Sequence, residues 1–109
     1  MDKSKIESLN VLKHIFQTKS IKARRHLFDS LSRKHLQLIG EILVNLLAGN
    51  LEVEERDKQK LKKHRGLIRA LSNRKTGYKV RRSLLLKFPT IVTKIFKLLI
   101  PLVYAFFDL

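Results

Sequence analysis

Between Lys58 and Arg69 the sequence places Lys58, Lys62, Arg65 and Arg69 three to four residues apart, so on a helix they share one side. Neighbouring Lys63 widens that stripe, Lys60 adds to the basic surface of the same helix, and Arg74, Lys75, Lys79, Arg81 and Arg82 continue it past a Thr76-Gly77 turn. A column of cations can follow a phosphate backbone, and each phosphate it neutralises releases condensed counterions. With six to ten such contacts, affinity falls by about 10³–10⁵ between 50 and 200 mM salt. Gln59 and Asn73 can contact base edges, but two polar side chains do not specify a sequence. Tyr78 is the one aromatic in the basic run, too little for stacking along a single strand. The pattern predicts sequence-independent binding of nucleic acid, duplex DNA above all. A solvated basic face with no dedicated partner is the plain alternative.

Other chemistry is poorly equipped. His14, His26, His35 and His64 are scattered and form no metal-ligating pair, and there is no cysteine for a thiolate site, a disulfide or a nucleophile. Gly40, Gly49, Gly66 and Gly77 are isolated, so no glycine-rich phosphate loop exists. Ser30 and Ser32 read as helix caps rather than nucleophiles. We expect a binding protein with no catalytic centre, metal or cofactor.

The whole chain carries this bias. It has 109 residues, 24 Lys and Arg against nine Asp and Glu, and a formal net charge of +15. All but one of the acids lie at or before Asp57, and none falls between Lys58 and Phe107. So large a charge on a body of one-domain size asks for an acidic partner, nucleic acid or an anionic membrane surface.

The elements that must position these residues read as helices. Ser4 followed by Glu7 fits a capping box, ahead of a stripe of Ile6, Leu9, Leu12 (with Val11), Ile15 and Phe16. A short helix follows from Ile21 to about Leu31, with Leu27, Phe28 and Leu31 inward, and Ser30 and Ser32 offer caps for the next. From His35 to about Ala48, Leu36, Ile39, Leu43, Leu46 and Leu47, widened by Leu38 and Ile42, mark the central helix of a bundle. Gly49, followed by Asn50, stands where a left-handed C-terminal cap is expected. One long helix is predicted from about Val53 to Asn73, with Glu54, Glu55 and Asp57 at the positive end of its dipole and Leu61, Leu67, Ile68 and Leu71 inward. Tyr78 to Lys87 forms a further piece. No period-two strand is visible. The fold expected is all-α, a small bundle of four to five helices with an apolar, amphipathic C-terminal helix, divided into a basic helical domain (1–87) and that helix (88–109).

That last helix has two readings. Ile91 to Phe107 is 17 residues with two lysines, short of the roughly 20 apolar residues that span a bilayer. Lys94, Lys97 and Pro101 share a face with Thr90 and Thr93, so a helix lying in the membrane interface fits better than a span. Phe88, Ile91, Ile95, Phe96, Leu98, Leu99, Leu102 and Phe106 would then contact lipid or a partner, beside cations worth about 1 kcal/mol each against anionic lipid. Equally, the stripe closes the bundle core, pairs as a homo-oligomer or docks into a partner's groove. Asp2, Lys3, Lys5 and Glu7 stand where a signal peptide needs an apolar run, so secretion by one is not expected.

The middle of the chain, roughly 20–86, resembles a small basic protein of Maverick/Polinton elements and adintoviruses. The residues that carry the resemblance are 38–51 (LIGEILVNLLAGNL), 60–71 (LKKH within KLKKHRGLIRAL) and the basic 79–82 (KVRR). It implies a core-like or accessory protein of a virus-like element, analogous to the basic DNA-associated peptides of adenoviruses. The family's basic cluster falls on Lys60, Lys62, Lys63, Arg65, Arg69, Lys79, Arg81 and Arg82, and its turn on Gly49 and Asn50. Family members place a Gly-Gly protease-type site after that cluster; this chain reads Ser83-Leu-Leu-Leu-Lys-Phe-Pro89 there. The setting expected is intracellular, nuclear or virion-associated, with association at a membrane as the alternative.

Overall fold

The computed structural model describes residues 3–107, and these are helical nearly throughout: α1 (Lys3–Gln17), α2 (Ile21–Asp29), α3 (Arg33–Leu47), α4 (Glu55–Lys62), α5 (Arg65–Ser72), α6 (Tyr78–Lys87) and α7 (Pro89–Phe106). The all-α expectation holds, but seven helices stand among the described residues where four or five were expected. Much of the difference lies in the stretch expected to be one helix from Val53 to Asn73. It breaks at Lys63–His64, where His64 adopts φ −116°, ψ 18°. Lys58 and Lys62 repel each other one turn apart, and Gly66 lowers helix propensity by about 1 kcal/mol relative to alanine. Nothing on the acid-free side of the break offsets these costs.

Serines start two of the helices. Ser20 caps α2, its hydroxyl accepting from the Ala23 amide at 3.2 Å. Ser32 caps α3 in a reciprocal box: its hydroxyl faces the His35 amide at 3.5 Å, and its own amide donates to His35 Nδ1 at 3.3 Å. Histidine here takes the role usually filled by Glu or Gln. Ser4 does not cap α1 as expected; it lies inside the helix and its hydroxyl bonds Lys34. At the far end of α3, Gly49 has φ +78°. Its amide reaches Leu46 O at 3.1 Å and the Asn50 amide reaches Asn45 O at 2.9 Å, which is a Schellman motif.

One core runs through the molecule, from Leu9 and Leu12 of α1 to Leu99 and Val103 of α7. Phe16 stacks on Phe96 with centroids 4.7 Å apart and packs obliquely against Phe28 at 5.8 Å, joining α1, α7 and α2. On the other side, α3 packs on α1, α5 and α6. Leu36, Leu38, Ile39, Ile42 and Leu43 are buried as expected, whereas Leu47 is exposed. The segment set apart in sequence as 88–109 is thus part of the same core: α7 lies on α1, α2 and α6.

Candidate nucleic-acid interface

Burial of Leu61, with Asp57 half-buried on the same side, leaves the rest of α4 exposed. Asp57 and Leu61, one turn apart, face inward, and Lys58, Lys60 and Lys62 are left in water. In α5, Ile68, Leu71 and Ser72 are buried, so Arg65 and Arg69, four apart, stand on the opposite side. The turn beyond is built to hold its backbone. Asn73 Oδ1 accepts from the Lys75 amide at 2.9 Å, and the Thr76 hydroxyl donates to Ala70 O at 3.0 Å. Arg74 and Lys75 therefore project from a fixed loop, and Lys79 follows, exposed, in the first turn of α6. Asn73 and Gln59 are spent locally, Gln59 donating to Glu55 Oε1 at 3.2 Å.

Carboxylates hardly touch this surface. Lys58 lies 4.0 Å from the exposed Glu55 and Lys60 3.9 Å from the half-buried Asp57, long contacts worth about 1 kcal/mol or less. Among the described residues, Lys62, Lys63, Arg65, Arg69, Arg74, Lys75 and Lys79 have no ion pair.

Two expected members of the interface are turned inward instead. Arg81 is only 7% exposed, and its guanidinium donates to Asn73 O at 3.1 Å and to Leu36 O at 3.5 Å. The space it fills exists because residue 40 is glycine: a Cβ there would sit 2.9 Å from Arg81 Cζ. Arg82 donates to Leu31 O, while Arg25 of α2 reaches Leu86 O at 3.0 Å. These arginines pin α6 to α2, α3 and the α5–α6 turn through backbone carbonyls. They are not free to meet phosphate. The sequence carried a clue in Gly40, since an isolated glycine inside a strong helix pattern usually has a packing reason.

This chain matches no family model, no curated protein and no solved structure.

The residues expected to meet lipid or a partner are also largely internal. Ile95, Phe96 and Leu99 are buried, Phe88, Ile91, Leu98 and Leu102 are half-buried, and Phe106 alone is exposed. Thr93, expected on the polar face beside Lys94 and Lys97, is buried too, its hydroxyl donating to Pro89 O at 2.7 Å. Pro89–Phe106 is long and apolar enough, by length and composition, to cross a membrane, with mean hydropathy 1.5 over 18 residues. Part of its apolar surface, including Ile95, Phe96 and Leu99, is buried in the bundle, where it packs on α1, α2 and α6. The histidines are dispersed: His35 serves the α3 cap, and burial, with Lys34 beside it, holds its pKa below the ordinary value of 6.5.

Proposed function

We propose that the protein binds nucleic acid without regard to sequence, through the exposed cations of α4, α5 and the α5–α6 turn. The observation that carries this reading is the set of cations Lys62, Lys63, Arg65, Arg69, Arg74, Lys75 and Lys79, exposed and, among the described residues, without ion pairs, in a stretch where no acid occurs between Lys58 and Phe107. A protein gains nothing in stability from concentrating like charges in this way. Against a polyanion each one releases a counterion. Base-specific equipment is lacking on this surface, because Asn73 and Gln59 are engaged with the chain itself. The resemblance to basic proteins of virus-like elements supplies a setting, the compaction of such an element's DNA.

The test is fluorescence anisotropy with two duplexes of unrelated sequence, titrated from 50 to 200 mM salt. Equal affinities for the two, with a fall of several orders of magnitude over that range, are expected for six or more phosphate contacts. A flat salt response, or a strong preference for one duplex, refutes the proposal.

A further inference from the structure

A groove of about 470 Å³ runs between the α4–α5 junction and α7. Its size lies in the range of small-molecule sites. One bank carries Lys60, Lys63 and His64, and the other Lys94 and Lys97. Leu61, Ile95 and Leu98 form the floor. No carboxylate lines it, and among the described residues Lys63, Lys94 and Lys97 have no ion pair. Lysine stems are themselves apolar for four methylenes, so the banks continue the character of the floor up to the level of their charges. One wall is lightly held, since Leu61 is the single buried residue of α4.

A duplex backbone does not suit this shape, because phosphates have no use for an apolar floor. We propose that the groove binds a single-chain amphiphile with a phosphate or carboxylate head group, the chain lying over Leu61, Ile95 and Leu98 and the head held between the lysines of the two banks. Charge complementarity names the head, and the apolar floor names the tail. Lys60 and Lys63 are shared with the proposed nucleic-acid surface, whereas Lys94, Lys97 and the apolar floor are not, so the requirement for an apolar chain distinguishes this site from nucleic-acid binding.

The experiment is a titration of the isotopically labelled full-length protein, followed by amide NMR, with octyl phosphate below its micelle concentration. Octanol, inorganic phosphate and anionic phosphatidylglycerol vesicles serve as parallel probes. Saturable shifts confined to residues around 60–64 and 94–98 are expected with octyl phosphate, with binding to octanol and inorganic phosphate each at least about tenfold weaker. Lys63→Glu with Lys94→Glu is expected to weaken octyl phosphate about tenfold or more, and Arg69→Glu, outside the groove, to leave it unchanged. Leu98→Trp, which fills the groove at a half-buried position while keeping it apolar, is expected to abolish the response. The proposal is overturned if inorganic phosphate binds as well as octyl phosphate, if the shifts spread over the whole basic surface, if only vesicles bind, or if Leu98→Trp leaves binding intact.

Discussion

Arg81 and Lys62 belong to one basic run in the sequence, yet the fold buries the first and leaves the second in water, and replacing each alone separates a structural role from the proposed binding role. In Arg81→Met the apolar stem remains and the guanidinium is removed. The bond to Asn73 O at 3.1 Å is the substantial loss, since charge-assisted bonds are worth about 1.5–3 kcal/mol. The bond to Leu36 O, at 3.5 Å, adds little. Against this, a buried cation whose Nε has no partner is relieved. The net expected is about 1–2 kcal/mol of destabilisation. With a urea m-value of about 2 kcal/mol/M, the unfolding midpoint should fall by roughly 0.5–1 M. Thermal unfolding should drop by roughly 5–15 °C, at about 4–8 °C per kcal/mol for a domain of this size class. DNA affinity and its salt slope, measured by anisotropy well below the melting temperature, should not change. Lys62→Gln should do the reverse, with stability within about 0.5 kcal/mol and a salt slope shallower by about 0.9. A full loss of salt slope in Arg81→Met, with stability intact, would refute the reasoning from burial.

Other outcomes follow from the same geometry. Gly40→Ala should cost up to about 1 kcal/mol, less than Arg81→Met, because its Cβ would displace the guanidinium while alanine's helix advantage of about 1 kcal/mol offsets part of that loss. In the Arg81→Met background it should be neutral or stabilising, given alanine's advantage of about 1 kcal/mol in a helix; additive losses in a urea double-mutant cycle contradict this. Stability should fall as pH drops below about 6.5, where the unfolded chain binds a proton that His35, with its lowered pKa, does not. The loss should level off below the folded-state pKa, and His35→Gln, which keeps an acceptor for the Ser32 amide, should flatten the profile seen by chemical denaturation. Phe96→Ala, which removes the ring stacked on Phe16, should cost about 3–5 kcal/mol in calorimetry or urea titration. A loss under about 1 kcal/mol would mean that α7 is not core.

Local signals carried far in this chain. The stripe of α3, its Gly49 cap and the extent of α6 were legible because each depends on residues a few positions apart. The break at His64 was not legible as such, although Gly66 and the repelling lysines that weaken the helix there are plain in the sequence. The fate of Arg81 was hidden for a different reason. Its inward turn depends on Gly40, Leu36 and Asn73, which come from other elements, and local spacing cannot see them. The apolar stripe of α7 was likewise visible, but whether Phe96 meets lipid or Phe16 is a tertiary question. The exposure of Lys62, Arg65 and Arg69 was legible from their spacing, because it follows from the inward apolar residues beside them.

The outward cations of α4 and α5 are proposed to engage a polyanion. The most direct measurement is the slope of log affinity against log salt for duplex DNA, for the natural protein and for Lys62→Glu/Arg65→Glu/Arg69→Glu, with folding checked by circular dichroism. A variant that remains folded, with affinity sharply reduced and a slope shallower by about three units, is predicted, at about 0.9 for each phosphate no longer neutralised. An unchanged affinity and slope in the folded variant would contradict the account.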